Sequence, residues 1–467
     1  MNAFFILNGQ RILVFSNVLV SRTDHHQAER SSSLTERVWV WRLWAFTAAV
    51  GIKCAFTLSE SRRAPPTRKS RIHQEEPPYI GHSLIFTMDS LTKANGTFAL
   101  DLYQVLSDSN PGGNIFFSPL SISAALSMVY LGARGTTAKE MAKVMSFSSL
   151  PDVHTHFKNL SSVINSPKAS YILRLANRLY GEKNFKFLPE FVDSTRQLYQ
   201  ADLQAVDFIG ASDESRKLIN QWVEEQTDRK IIDLLKPGTV TAMTRLALVN
   251  AIYFKGNWLQ KFNAEDTKEV PFKINQNERK PVQMMIQMHK FPFAYISEYK
   301  LQVLELPYVQ EELSMLVLLP QEAEDGSDPL QKLESELTLD KLREWTNREN
   351  MDTGTDIIVH LPKFKLDEES SLEGVLTKMG MSSLFQAAAA DLTGMSSDGG
   401  LYLSAVAHKA FVEVNEEGTE AAAATAGIVA FCMLREEFFI ADHPFLFFIR
   451  HNPTNSILFL GRFRGPQ

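Results

Sequence analysis

Apolar residues recur along this chain with two different periods, and the place where one gives way to the other divides it. From Ala94 onward, Phe98, Leu102, Val105 and Leu106 fall at helical spacing, which places them on one stripe of a helix. Ser118-Pro119 opens a second helix, since proline fits the first helical turn, and its apolar side includes Ile122, Ala125, Leu126 and Val129. Asp213 to Gln226 predicts a further helix. After it the apolar runs shorten into strands: Leu246 to Tyr253, Leu301 to Leu306, Leu313 to Leu319, and Ile357 to Leu361 alternating into Pro362. Val406 to Val414 is a long strand, and Phe445 to Ile449 and Ile457 to Phe463 are hydrophobic strands near the C-terminus. Helices first and strands later predict an α+β fold with mixed and antiparallel sheets.

One segment fits neither pattern. Glu416 to Met433 reads Glu-Glu-Gly-Thr-Glu-Ala-Ala-Ala-Ala-Thr-Ala-Gly-Ile-Val-Ala-Phe-Cys-Met, a run of small residues that ends in apolar ones. An Ala-rich run taken alone favours a helix. The long strand before it and the flanking Glu-Glu-Gly-Thr-Glu favour instead a strand that slots into an existing sheet. Alternate residues of such a strand go to opposite faces, so Thr419, Ala421, Ala423 and Thr425 share one face, and Glu420, Ala422 and Ala424 the other. The face to be buried is small and uncharged, and Gly418 supplies backbone freedom for a hinge.

This segment resembles the hinge and reactive-centre loop of the serpins, protease-trapping inhibitors. Ordered blocks carry the same resemblance over about 380 residues from Met88: Asn114-Ile-Phe-Phe-Ser-Pro-Leu-Ser-Ile122, Leu131-Gly-Ala-Arg-Gly-Thr136 and Asn250-Ala-Ile-Tyr-Phe-Lys-Gly-Asn-Trp258. Others are Leu304-Glu-Leu-Pro-Tyr308, His408 to Thr419, Asp442-His-Pro-Phe-Leu-Phe447 and Phe459-Leu-Gly-Arg462. Within the family the chain is most similar to the intracellular, ovalbumin-type branch (clade B). The resemblance implies three β-sheets, about nine helices and an exposed reactive-centre loop. It implies that a serine protease cleaves the loop, forms an acyl-enzyme, and is trapped when the freed half of the loop inserts into the central sheet.

Counted from Gly418 as the family counts, the reactive bond is Cys432-Met433, with Phe431 as a secondary bait and Glu416, Gly418, Thr419, Glu420, Ala421, Ala422, Ala423, Ala424 and Thr425 as the hinge. Cys432 suits elastase-like pockets and Phe431 chymotrypsin-like and cathepsin G-like ones, whereas the nearest basic residue, Arg435, lies beyond the bond. The expected partners are therefore neutrophil elastase-like, chymotrypsin-like and cathepsin G-like proteases. The rival expectation is a non-inhibitory serpin acting as a binding or structural protein. Such members commonly carry bulky or charged residues or proline in the hinge, and Ala421 to Ala426 has none. Asn114, Ser118, Pro119, Asn250, Trp258, His408, Pro444 and Gly461 are read as structural, with Asn250 and His408 placed near the gate where the loop enters.

Composition narrows the alternatives. The chain has 467 residues, 44% hydrophobic and 22% charged, enough for a large core. Its net charge is -6, but the first 87 residues hold 11 Lys and Arg against 6 Asp and Glu, a net of +5 that leaves -11 for the rest. An acidic body argues against nucleic acid as a partner, and nothing in it implies a cofactor. The only cysteines are Cys54 and Cys432, so no disulfide framework exists within the body. That suits a cytoplasmic monomer, released, if at all, without a signal peptide. Cys432 with His443 as base would make a thiol hydrolase, but nothing near Cys432 depresses its pKa or orients a base, so no enzyme is expected. An exposed thiol at the bait position could instead be oxidised and lose its fit to a protease pocket.

Residues 1–87 match none of the family blocks and are expected to be a disordered extension or a non-native start, with 88–467 as the serpin domain. Phe4 to Val20 makes a poor signal peptide, being interrupted by Asn8-Gly-Gln-Arg11. Val38 to Phe56 approaches membrane-spanning length, with Arg42 and Lys53 near its ends, and is the one stretch that could anchor the chain to a membrane. Ser, Arg, Pro and Glu dominate Ser59 to Pro78, which predicts a disordered linker. Asn95-Gly-Thr97 and Asn159-Leu-Ser161 are read as surface polar residues, and His154 and His156 as solvated on opposite sides of a helix.

Overall fold

The computed structural model describes residues 3–7, 10–14, 80–323, 325–419 and 436–466, with side chains described from Asp89. The chain divides into two units, Met1–Pro77 and Pro78–Gln467. Within the first, β1 (Ala3–Leu7) and β2 (Gln10–Val14) form an antiparallel hairpin with Leu7 opposite Gln10. The sequence between the strands is Asn8-Gly9, a pair that favours the tightest hairpin connections. That hairpin was not foreseen. The linker and the Val38 to Phe56 stretch lie outside the described residues, and no described helix is long and apolar enough to cross a membrane.

The second unit has nine α-helices among the described residues. They are α1 (Ile80–Ser109), α2 (Pro119–Gly132), α3 (Gly135–Val144), α4 (Val153–Ile164), α5 (Pro189–Tyr199), α6 (Ser212–Gln226), α7 (Pro329–Glu336), α8 (Leu339–Trp345) and α9 (Glu373–Met379). Ser118 caps α2 as its sequence suggests, its Oγ accepting from Ser121 N at 3.3 Å with Pro119 in the first turn. Its hydroxyl also donates to Leu458 O at 2.6 Å, which ties the helix start to a core strand.

Three sheets accompany the helices. The first runs β3 (Ile115–Phe117), β18 (Ser456–Phe463), β17 (Phe445–His451), β11 (Leu313–Pro320), β10 (Leu301–Pro307) and β9 (Phe293–Ile296). Every residue of β11, β17 and β18 is buried, which explains why they read as unbroken apolar runs. A smaller sheet is ordered β16 (Glu436–Ile440), β12 (Asp356–Pro362), β8 (Arg279–Lys290), β7 (Lys268–Lys273). The central sheet is ordered β13 (Phe364–Ser371), β14 (Leu403–Asn415), β15 (Gly418–Thr419), β6 (Leu246–Asn257), β4 (Ile172–Glu182), β5 (Leu203–Val206), and β14 also pairs directly with β6. Phe364 from this sheet stacks on Phe463 at 4.9 Å and meets Phe447 edge-on at 5.2 Å, so aromatic rings join it to the first sheet.

Two readings are corrected. Asn95 is not a surface residue: it is 4% exposed, and its Oδ1 accepts from Ser123 Oγ at 2.7 Å. It lies on the same stripe of α1 as the buried Leu91, Phe98 and Ala99, so helical phase, not polarity, decides its place. His154 and His156 are half-buried on α4 rather than solvated. His154 Nδ1 bonds Tyr199 OH at 2.6 Å, and burial pushes its pKa down to about 4.

Candidate functional site: a strand slot in the central sheet

The central sheet contains an unusual pairing. β14 is antiparallel to β13 and β6 is antiparallel to β4, yet β14 and β6 run parallel, from Leu403 opposite Leu246 to Phe411 opposite Tyr253. Beyond that pair the two strands part. Into the opening comes β15, which turns back from β14 and pairs antiparallel with both neighbours: Thr419 lies opposite Val414 and Gly256, Gly418 opposite Asn415 and Asn257. A chain continuing from Thr419 along this line would run antiparallel to β6 and β14 alike. It would exchange one parallel ladder for two antiparallel ones, the better-aligned hydrogen-bond pattern.

Gly418 is required at the entrance. Its φ is +137°, and a Cβ there would sit 2.2 Å from Gly256 O and 2.7 Å from Asn257 Cα. The two residues before it are tethered. Glu416 pairs with Lys363 Nζ at 2.9 Å and accepts from Thr267 Oγ1 at 2.8 Å, and its carbonyl accepts from Phe262 N at 2.9 Å. Burial alone would raise the Glu416 pKa, but hydrogen bonds from Lys363, the backbone and Thr267 outweigh it and hold the carboxyl below its usual range. Glu417 pairs with Lys261 at 2.5 Å and its carbonyl accepts from Trp258 N at 2.9 Å. Trp258, buried and stacked on Tyr308 at 4.5 Å, donates its Nε1–H to Asn415 O at 3.0 Å. β15 therefore starts from a fixed platform.

Further down, a buried polar cluster clasps the two parallel strands together. Asn250 on β6 and His408 on β14 are register partners, and Asn250 Oδ1 accepts from His408 Nδ1. The amide of Asn250 donates to Ser121 Oγ at 2.6 Å, to Ser121 O at 3.3 Å and to Asn177 Oδ1 on β4. His408 Nε2 accepts from Ser118 N at 3.2 Å, which fixes the tautomer with its proton on Nδ1. Full burial pushes the His408 pKa down to about 3, so the ring is neutral at pH 7. The clasp ties β6, β14, β4 and the start of α2 to one another. A strand inserted past this level must separate Asn250 from His408.

The sequence reading placed Asn250 and His408 at the gate and left their bond open; the structure makes that bond. It did not find Ser121, Asn177, Lys363, Thr267 or Lys261, which come from distant segments and carry no periodic signal. Glu416, Gly418 and Thr419 stand at the mouth of the slot. Glu420, Ala421, Ala422, Ala423, Ala424, Thr425, Phe431, Cys432 and Met433 lie outside the described residues. His443 has both ring nitrogens engaged within the body, with Asp442 Oδ1 at 2.8 Å and Pro320 O at 2.8 Å. No group of acidic, histidine or cysteine side chains among the described residues could hold a metal ion.

Nine helices and three sheets among the described residues of the second unit, with a tethered short strand entering where two parallel strands of the central sheet part, match the fold expected of a serpin. The chain matches the family model described as Serpin (serine protease inhibitor) over residues 93–466, and it belongs to that family. Among known proteins it is 56% identical over 380 residues to the leukocyte elastase inhibitor of Homo sapiens, covering 81% of this chain and all of that one. Among solved structures, uncleaved ovalbumin is 39% identical with a TM-score of 0.73, covering 80% of this chain and 100% of that one. A loop-inserted structure of a cleaved ovalbumin mutant is 38% identical with a TM-score of 0.72 over the same shares.

Proposed function

We propose that this serpin traps elastase-like and chymotrypsin-like serine proteases, cathepsin G-like ones among them, as covalent acyl complexes. The observation that carries this reading is β15, which already lies between β6 and β14 in the direction that full insertion requires. Cleavage at Cys432-Met433, or after Phe431, releases the segment from Glu420 through Thr425 and beyond, so that it can continue the strand that Gly418 and Thr419 begin. Insertion of about 12 residues then adds backbone hydrogen bonds on both sides, each worth about 0.5–1.5 kcal/mol net. The small side chains at Ala421, Ala423 and Thr425 enter the sheet without a clash or a buried charge. Strand addition of this kind releases strain stored in the uncleaved sheet.

Trapping is a race. Water completes hydrolysis of the acyl-enzyme unless insertion carries the protease away first, so the protein is a bait and not a catalyst. The inhibitory body is assigned to residues 88–467, working as a cytoplasmic monomer without a cofactor. The 56% identity to a leukocyte elastase inhibitor supports the choice of target class. Mixing the protein with elastase or chymotrypsin tests it: a covalent band of summed mass on a denaturing gel supports trapping, and clean cleavage with active protease remaining refutes it.

A further inference from the structure

The outward face of the small sheet breaks the usual rule that a solvent-facing sheet surface is polar. Register places Phe438, Ile358 and Met288 in one row across β16, β12 and β8, and Ile440, His360 and Ile286 in the next. Their inward-pointing neighbours Ile357, Val359 and Phe439 are buried in the core, so these two rows face out. Phe438 is 53% exposed and Ile440 38%, while Ile358, Met288 and Ile286 are half-buried beside them. Tyr295, also 53% exposed, extends the patch: it lies opposite Gln302, whose side chain donates to Phe438 O at 2.9 Å. A row of charges, Glu436, Asp356 and Lys290, borders the patch where β16 begins. Contiguous exposed apolar surface with a polar rim marks an interaction site.

Position identifies the occupant. β16 starts at Glu436, three residues beyond Met433, so Phe438 lies within about 18 Å of the reactive bond even on a fully extended chain. A domain of 100–150 residues already has a radius of gyration of about 13–15 Å. A protease that holds the bond in its active site is therefore large enough to reach this face. We propose that the outward face of the small sheet, centred on Phe438, Ile440, Ile358 and Met288, is a docking surface for the target protease, complementary to an apolar patch beside that protease's substrate cleft. The inference rests on the trapping reading above and deepens it: the loop selects a protease by its pocket, and the sheet face selects among proteases with the same pocket.

The test compares association rate constants with elastase and with chymotrypsin for the full chain, a Phe438→Ser/Ile440→Ser variant, a Met288→Gln variant on the strand remote from the loop, and a Cys432→Asp control. Both face variants are expected to slow association by about 5- to 30-fold with at least one protease, the effect of losing an interface anchor, while the number of inhibitor molecules consumed per protease and the Tm stay unchanged. Unaltered rates in both face variants, with slowed association of the Cys432→Asp control with elastase, would overturn the docking surface and leave trapping intact. If the double variant loses stability, Met288→Gln decides alone. A full chain that sediments as a dimer, with face variants that are monomers of unchanged rate, would assign the face to a second copy and overturn the proposal. No covalent complex with the unaltered chain would overturn trapping and docking together.

Discussion

Replacing Asn250 with alanine should loosen the central sheet before any protease arrives. The substitution removes the acceptor of His408 Nδ1–H and the amide that holds Ser121 and Asn177, in a site where His408 is 0% exposed. A buried donor left without a partner costs about 1–3 kcal/mol. With about 2 kcal/mol lost over a body of roughly 380 residues, the uncleaved protein should melt about 2–3 °C lower. Kinetics is the more sensitive reading. If the clasp must open before the loop can enter, the barrier to spontaneous insertion falls by the same amount, and the uncleaved protein should lose inhibitory activity up to about 30-fold faster on warm incubation. In the cleaved, loop-inserted form the inserted strand has already parted Asn250 from His408, so there the substitution should cost little. Tm values of cleaved and uncleaved protein, with residual activity followed over time, provide the assay. Equal losses in both forms, or an unchanged inactivation rate, would show that the cluster is ordinary core and not a clasp.

Other outcomes follow from the same geometry. Thr419 is already seated between β14 and β6, so the test falls on Ala421, the next residue on the same face: Ala421→Arg would carry a charge into the sheet as insertion proceeds, at a cost of several kcal/mol; the variant should be cleaved as a substrate, and a stable covalent complex would refute the insertion argument. Acid should weaken the uncleaved fold through His408, whose pKa is pushed down to about 3 while the unfolded ring titrates near the ordinary 6.5. The unfolded state therefore binds the extra proton between these values, and stability is lost as pH falls through that window, by about 2 kcal/mol at pH 5. A His408→Asn variant should show a shallower fall in Tm between pH 7 and 5, and an unchanged slope would exclude His408 as the cause. Mild peroxide should oxidise Cys432 and lower elastase inhibition more than chymotrypsin inhibition through Phe431; equal residual activities would argue against Cys432 as the elastase bait.

Much of the fold was legible because period and turn chemistry agreed. Ser118-Pro119 did open a helix, and the apolar runs Leu246 to Tyr253, Val406 to Val414 and Ile457 to Phe463 are strands whose flanks extend by only a few residues. The hinge candidate stood out for another reason: Gly418 followed by small residues is chemically odd in either a helix or a core strand. What stayed hidden depends on tertiary contact. Nothing local to Lys363 or Thr267 indicates that both reach Glu416, and Ser121 looks like any first-turn serine until Asn250 donates to it. Asn95 was misjudged because a polar acceptor motif outweighed its helical phase, although Leu91, Phe98 and Ala99 on the same stripe pointed inward. The apolar face around Phe438 escaped because β8, β12 and β16 come from three distant stretches, and only their register brings Phe438, Ile358 and Met288 into one row.

The most direct test of the central claim is to react the purified protein with elastase and with chymotrypsin and to weigh the products by mass spectrometry after denaturing electrophoresis. The account predicts a covalent species of summed mass, with a released peptide that begins at Met433 for elastase. Complete cleavage of the loop with the protease left active would mean that the slot between β6 and β14 does not accept the strand in time, and would contradict it.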